Sequence, residues 1–203
     1  MEETDVTELE KQKRICDTTL KNCIHTKKRL INNDLFSKFI LNYYSLFLIV
    51  LAITISYFKK DGNLSNYFSI IISIILLIFS IINSNSKYEI RIEKLNDSIN
   101  KLKSLKRSEK TSSSFWEKYD EIVDNTEMRT DTDFYYTVKE LCAVEGITGL
   151  KFLFFFDSCI KDKKLKEYRN SVSVLYHFFR NLILNILKFL LIIFPIIIIL
   201  YSL

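Results

Sequence analysis

Apolar positions along the chain fall into long uninterrupted blocks and short periodic ones, and the two kinds predict different elements. Phe39 to Phe58, "FILNYYSLFLIVLAITISYF", runs for twenty residues without a charge. A hydrocarbon core about 30 Å thick takes about twenty residues of helix to cross. Leu64 to Ile82, "LSNYFSIIISIILLIFSII", is a second such block, and Leu182 to Leu203, "LILNILKFLLIIFPIIIILYSL", is a third with Lys188 as its only charge. The short polar loop "KKDGNLSN" makes the first two an antiparallel hairpin. The first block is not a secretory signal, because a long polar stretch precedes it and no small-residue cleavage site follows. The pattern predicts an integral membrane protein.

The periodic blocks flank the hairpin. Tyr88, Ile92, Leu95, Ile99 and Leu102 recur at alternating intervals of four and three, the period of a helix seam. Val6, Leu9, Cys16, Leu20, Cys23 and Leu30 fit the same repeat ahead of the first block, with Lys13 and Lys27 as weaker members. Extensions of an antiparallel hairpin leave the membrane side by side, so each seam finds a partner, either within one chain or in a neighbouring copy. No Gly or Pro separates the second block from its seam, which predicts one rod from about Ser65 to about Lys110.

Beyond the rod, "KTSSS" is a break, and Ser114 with Glu117 reads as a capping box opening a helix at "FWEKYDEIV". Asp131 or Asp133 is placed to cap the next helix, "FYYTVKELCAVE", which Gly146 closes. "LKFLFFFDSCI" is too short to span and packs under the small helices or lies at the interface. "KDKKLKEYRNSVSVLYHFF" reads as a helix leading into the third span. No segment has a trustworthy strand period. The expected fold is all-α, an integral membrane helical protein. Its parts are a cytoplasmic N-terminal helix over 1–38, a transmembrane hairpin over 39–82, a stalk helix over 83–110 that forms an antiparallel helical stalk, small cytoplasmic helices over 111–180, and a third, C-terminal apolar helix over 181–203.

Charge orients this plan. Eight Lys and Arg precede the first span, two lie in the hairpin loop and eighteen fall between Lys87 and Arg180. Basic residues accumulate on the cytoplasmic side, which puts the N-terminus and the middle of the chain inside and the loop outside. The net charge of +5 is accounted for by this topology and by anionic headgroups, and calls for no nucleic acid.

Chemistry adds little. The four cysteines form no CxxC, His25 and His177 are far apart, and three glycines build no phosphate-cradling loop. No nucleophile, base and orienting group stand together, so no catalytic residue, metal or cofactor is expected and the chain reads as a non-enzyme. The candidate positions lie in the spans. Asn42, Ser45, Ala52 and Ser56 follow helical spacing on the first, and Ser69, Ser73, Ser80 and Ser84 do so on the second. Small and hydroxyl residues let helices approach closely, or line a wet path after assembly. Lys188 is an ionisable group inside a span and either snorkels to the headgroups or lines such a path. Pro195 removes one backbone bond and is expected to kink the third helix near Leu191.

The long first helix, the hairpin with its "KKDGNLSN" loop, the segment "KYEIRIEKLNDSINKLKSL" and the stretch "YDEIVDNTEMRTDTDFY" together resemble the SMODS and SLOG-associating two-transmembrane effector (SLATT) family. The resemblance covers nearly the whole chain, although the third apolar block departs from the simplest two-span pattern. It implies a bacterial antiviral effector of the inner membrane, acting in abortive infection as a pore-forming homo-oligomer in the lipid bilayer. It also implies a nucleotide second messenger or partner protein as trigger, from a nucleotidyltransferase, a ligand sensor or a reverse transcriptase. The alternative is a passive membrane anchor or scaffold that recruits a cytoplasmic partner through its stalk.

Overall fold

The computed structural model describes residues 2–58, 63–107, 113–149, 152–153, 167–168 and 173–202. Every described element is helical: α1 (Glu2–Phe58), α2 (Asn63–Asn85), α3 (Tyr88–Arg107), α4 (Ser113–Asp124), α5 (Asp131–Val144) and α6 (Val174–Ser202). The protein is all-α, with three helices long and apolar enough to cross a membrane among the described residues. Two compact units share the chain, a polar one of Met1–Ile31 with Glu89–Phe179 and an apolar one of Asn32–Tyr88 with Arg180–Leu203.

In the polar unit the first part of α1 is surrounded by α3, α4 and α5. The seam residues Cys16, Leu20, Cys23 and Leu30 of α1 and Leu95, Ile99 and Leu102 of α3 are all buried. Full burial of such an aliphatic side chain contributes about 1.5–3 kcal/mol. Cys16 Sγ donates to Leu102 O at 3.3 Å and Lys106 Nζ pairs with Asp17 Oδ1 at 2.6 Å. Further along, Arg29 of α1 and Arg91 of α3 meet on one carboxylate, Glu127. The contacts advance along α1 as they retreat along α3, so the two run antiparallel within one chain.

The rod expected from Ser65 to Lys110 is interrupted. α2 ends at Asn85, and Lys87 takes φ +46°, a left-handed conformation rare for a residue with a Cβ. Four residues of low helix propensity, Asn83, Ser84, Asn85 and Ser86, lead into the break, which needs no Gly or Pro. Ser86 donates its hydroxyl to Ile82 O at 2.9 Å, and its N–H is shared between Ile82 O and Asn83 O.

Helix ends differ from expectation by small, explicable amounts. α4 already includes Ser113, so Ser114 sits inside the helix instead of capping it. The cap of α5 is Thr130, not Asp131 or Asp133. Its hydroxyl accepts from Asp133 N while the Asp133 carboxylate takes the Thr130 N–H, a reciprocal capping box. Gly146, at φ +78°, follows the helix end as expected, where a left-handed residue is needed. Of "LKFLFFFDSCI" only Phe152 and Leu153 are described, and Phe152 is buried with Tyr135, Val138, Cys142, Ile147 and Val174. The helix into the third span starts at Val174, with Ser173 outside it. The basic residues 161–166 lie outside the described residues.

Asp133 ties the polar unit together. Its carboxylate, 2% exposed, takes hydrogen bonds from Arg29 Nε at 3.0 and 3.2 Å, from Thr26 Oγ1 at 3.0 Å and from Thr130 Oγ1 at 2.8 Å. Burial alone would raise its pKa, but the hydrogen bonds from Arg29 and Thr130 outweigh it and hold the group below the ordinary carboxylate value.

Candidate membrane-embedded site

The apolar unit packs through large side chains. Ile40, Tyr44, Phe47 and Leu51 of α1 are buried with Ile72 of α2, and Leu76, Phe79 and Ile198 pack against them. Outside this core the unit is apolar to its surface: Leu46, Ile49 and Ile53 on α1, Ile70 to Ile82 on much of α2, and most of α6 are exposed. A contiguous apolar surface of this extent belongs against lipid or another apolar face.

The candidate residues occupy the outside of this unit. Asn42, Ser45, Ala52, Ser73, Ser80 and Ser84 are exposed and Ser69 is half-buried, while the side chain of Ser56 lies outside the described residues. Contact within the hairpin is therefore made by other positions, and the small residues turn outward. Two of the hydroxyls are satisfied locally, Ser45 Oγ donating to Leu41 O at 2.7 Å and Ser73 Oγ to Ser69 O at 2.8 Å. Thr54 Oγ1 does the same with Val50 O at 2.8 Å. Such back-bonding lets a hydroxyl sit in hydrocarbon without an external partner.

Lys188 is half-buried, with its Nζ 4.8 Å from the centroid of the Phe36 ring. Phe36 precedes the first charge-free block, so the lysine stem reaches back toward the polar end of the span, as snorkelling requires. The ring face adds an attraction for the ammonium.

Proline geometry explains a pair of contacts that no sequence pattern announced. In a helix the carbonyl of residue 191 accepts from the N–H of residue 195, and Pro195 has none. Tyr44 fills the vacancy, its hydroxyl donating to Leu191 O at 2.8 Å. The neighbouring Tyr43 donates to Ile192 O, also at 2.8 Å. α6 remains one helix through the buried Pro195, docked on α1 by two tyrosines. Phe36 meets Lys188, and Tyr43 and Tyr44 meet the carbonyls further on, so α1 and α6 run in the same direction. The only advance signal was the lone proline in an apolar run, which implies an orphan acceptor that something must satisfy.

An all-helical chain with a three-helix unit apolar to its surface is an integral membrane protein, and the third helix is an integrated part of that unit. The profile of the SMODS and SLOG-associating 2TM effector domain family 5 matches residues 5–202. The chain belongs to this family of two-transmembrane effector domains, which act with SMODS- and SLOG-associated partners in defence systems. It is thus a membrane effector domain. No curated protein and no solved structure matches it.

Proposed function

We propose that the chain is a non-enzymatic, pore-forming effector that assembles with copies of itself and opens the bacterial inner membrane when triggered. The N-terminus and the middle of the chain stand on the cytoplasmic side, and the trigger is a nucleotide second messenger or a partner such as a nucleotidyltransferase, sensor or reverse transcriptase. The observation that carries this reading is the outward placement of Asn42, Ser45, Ser73 and Ser80. Small polar residues on a lipid-facing surface favour close helix–helix contact and hydrogen bonding between helices. A second copy of the same face supplies both, and a ring of such faces supplies a polar lining. Loss of the barrier in an infected cell ends its growth, which is abortive infection.

A passive tether remains the second reading, and the self-satisfied hydroxyls of Ser45 and Ser73 favour it, because they need no partner. Membrane potential separates the two. On triggering or overproduction the potential should collapse before lysis, and Ser73→Leu with Ser80→Leu should prevent this while membrane insertion is unchanged. Lys188→Leu should have a smaller effect if that ammonium only snorkels. Cells that keep their potential and still stop growing would establish the tether reading instead.

A further inference from the structure

Inside the polar unit lies a cavity of about 630 Å³. Small-molecule sites span roughly 300–1,000 Å³. Its described wall on α1 sets Thr18, Thr19, Asn22 and Thr26 beside Ile15 and Cys23, more polar groups than a helical core ordinarily holds. Asn22 is 7% exposed and Thr26 1%. Thr19 is joined to Tyr119 of α4 by a 2.7 Å hydroxyl contact. Asn22 is not matched: its buried Oδ1 has no hydrogen-bond partner among the described residues. An unpartnered buried amide is destabilising, because it has lost its hydrogen bonds to water and gained none. This acceptor borders the cavity and is open to a donor that enters it.

The rest of the wall narrows what that is. Tyr119, Phe134 and Tyr168 present aromatic surface, suited to a flat ring system. The charges cancel. Glu127 is held by Arg91 at 2.9 Å and by Arg29, while Arg129 covers the face of Phe134 at 3.9 Å and Asp124 stands nearby. Among the described residues one carboxylate, Asp124, stands against one engaged guanidinium, so the described wall offers no cationic cradle for a polyphosphate. It offers an amide acceptor, hydroxyls and stacking surface.

We infer that this cavity binds an uncharged, planar heteroaromatic molecule of the nucleoside class, whose ring edge donates an N–H to Asn22 and whose face stacks against Tyr119 and Tyr168. The site is intrinsic to the polar unit and stands whether or not the membrane is opened. It gives this chain a ligand of its own, beside anything its partners sense.

The full-length protein in detergent micelles is titrated with adenosine, guanosine, cytidine and uridine and with their 5′-triphosphates, by calorimetry. At least one nucleoside should bind with a micromolar Kd, and its triphosphate should bind no more tightly. Asn22→Leu should weaken binding at least tenfold and raise the melting temperature, since it removes an orphaned amide. Val123→Trp, which fills the cavity from the exposed side of α4, should abolish binding with the fold intact. Absence of binding by all four nucleosides to 1 mM overturns the inference, as does binding that Asn22→Leu and Val123→Trp leave unchanged. Tighter binding of the triphosphates would overturn the uncharged class.

Discussion

Tyr44→Phe deletes one hydroxyl from the apolar unit and leaves its ring in place among Ile40, Phe47, Leu51 and Ile72. That hydroxyl is the described donor to Leu191 O, which Pro195 cannot serve. An orphaned acceptor costs about 1–3 kcal/mol in protein interiors, and measured hydrogen bonds between membrane helices reach about 1.7 kcal/mol. Tyr44→Phe should therefore cost about 1–2 kcal/mol. Pro195→Ala returns an N–H to Leu191, and against that background the same substitution should cost about 0.5 kcal/mol or less, near the average for such bonds. The coupling is about 1 kcal/mol, a fivefold change in the unfolding equilibrium. Tyr43 is the internal control. Its acceptor, Ile192 O, retains the N–H of residue 196, so Tyr43→Phe should show little coupling to Pro195→Ala. Reversible unfolding of the four-member cycle in mixed micelles measures both. Equal cost of Tyr44→Phe in the two backgrounds, or equal coupling for Tyr43, would refute the role given to the proline.

Three further outcomes are expected. The described native thiols cannot report topology, because burial raises Cys16 and Cys23 to a pKa of about 11 and Cys142 is fully buried. In a Cys159→Ser background an impermeant thiol reagent should label Asn63→Cys in intact cells and Met128→Cys, at a position 91% exposed, only after permeabilisation; the reverse pattern inverts the membrane orientation. Asp133, whose folded pKa lies below the unfolded 3.8, adds stability that is complete above about pH 4 and lost as pH falls through the folded value. Thermal unfolding should fall below pH 4, less steeply in Asp133→Asn, and Thr130→Ala should cost about 1–2 kcal/mol at neutral pH.

Which features could be read from the chain alone follows from how local their causes are. Charge-free runs such as Phe39 to Phe58 declare themselves, because the hydrocarbon sets both their length and their composition. The seams were legible for a similar reason: Cys16, Leu20, Leu95 and Leu102 repeat at the spacing their shared interface imposes. Lys87 was not. Its break follows a run of Asn and Ser that a helix tolerates singly and whose low propensities add up only when four stand together. Thr130 is less conspicuous in the sequence than the carboxylates beside it, although Asp133 is the other half of the same box. The serine stripes were visible as periodicity, but which way they face depends on where Tyr44, Phe47 and Leu51 find room, and that is decided by α6 as much as by the hairpin. The Asn22 cavity is formed by residues about a hundred positions apart, and nothing in their local pattern distinguishes a hollow from a core.

The back-bonded hydroxyls have a consequence in sign. A hydroxyl carries one proton and two lone pairs. Ser45, Thr54 and Ser73 each commit the proton to their own helix, so what they turn outward is oxygen alone. Water or an amide N–H meeting that surface finds an acceptor, a positive ion finds partial ligands, and a negative ion finds no donor. Any aqueous passage bordered by these three residues would be biased toward cations by the direction of three protons, without a charged side chain among them.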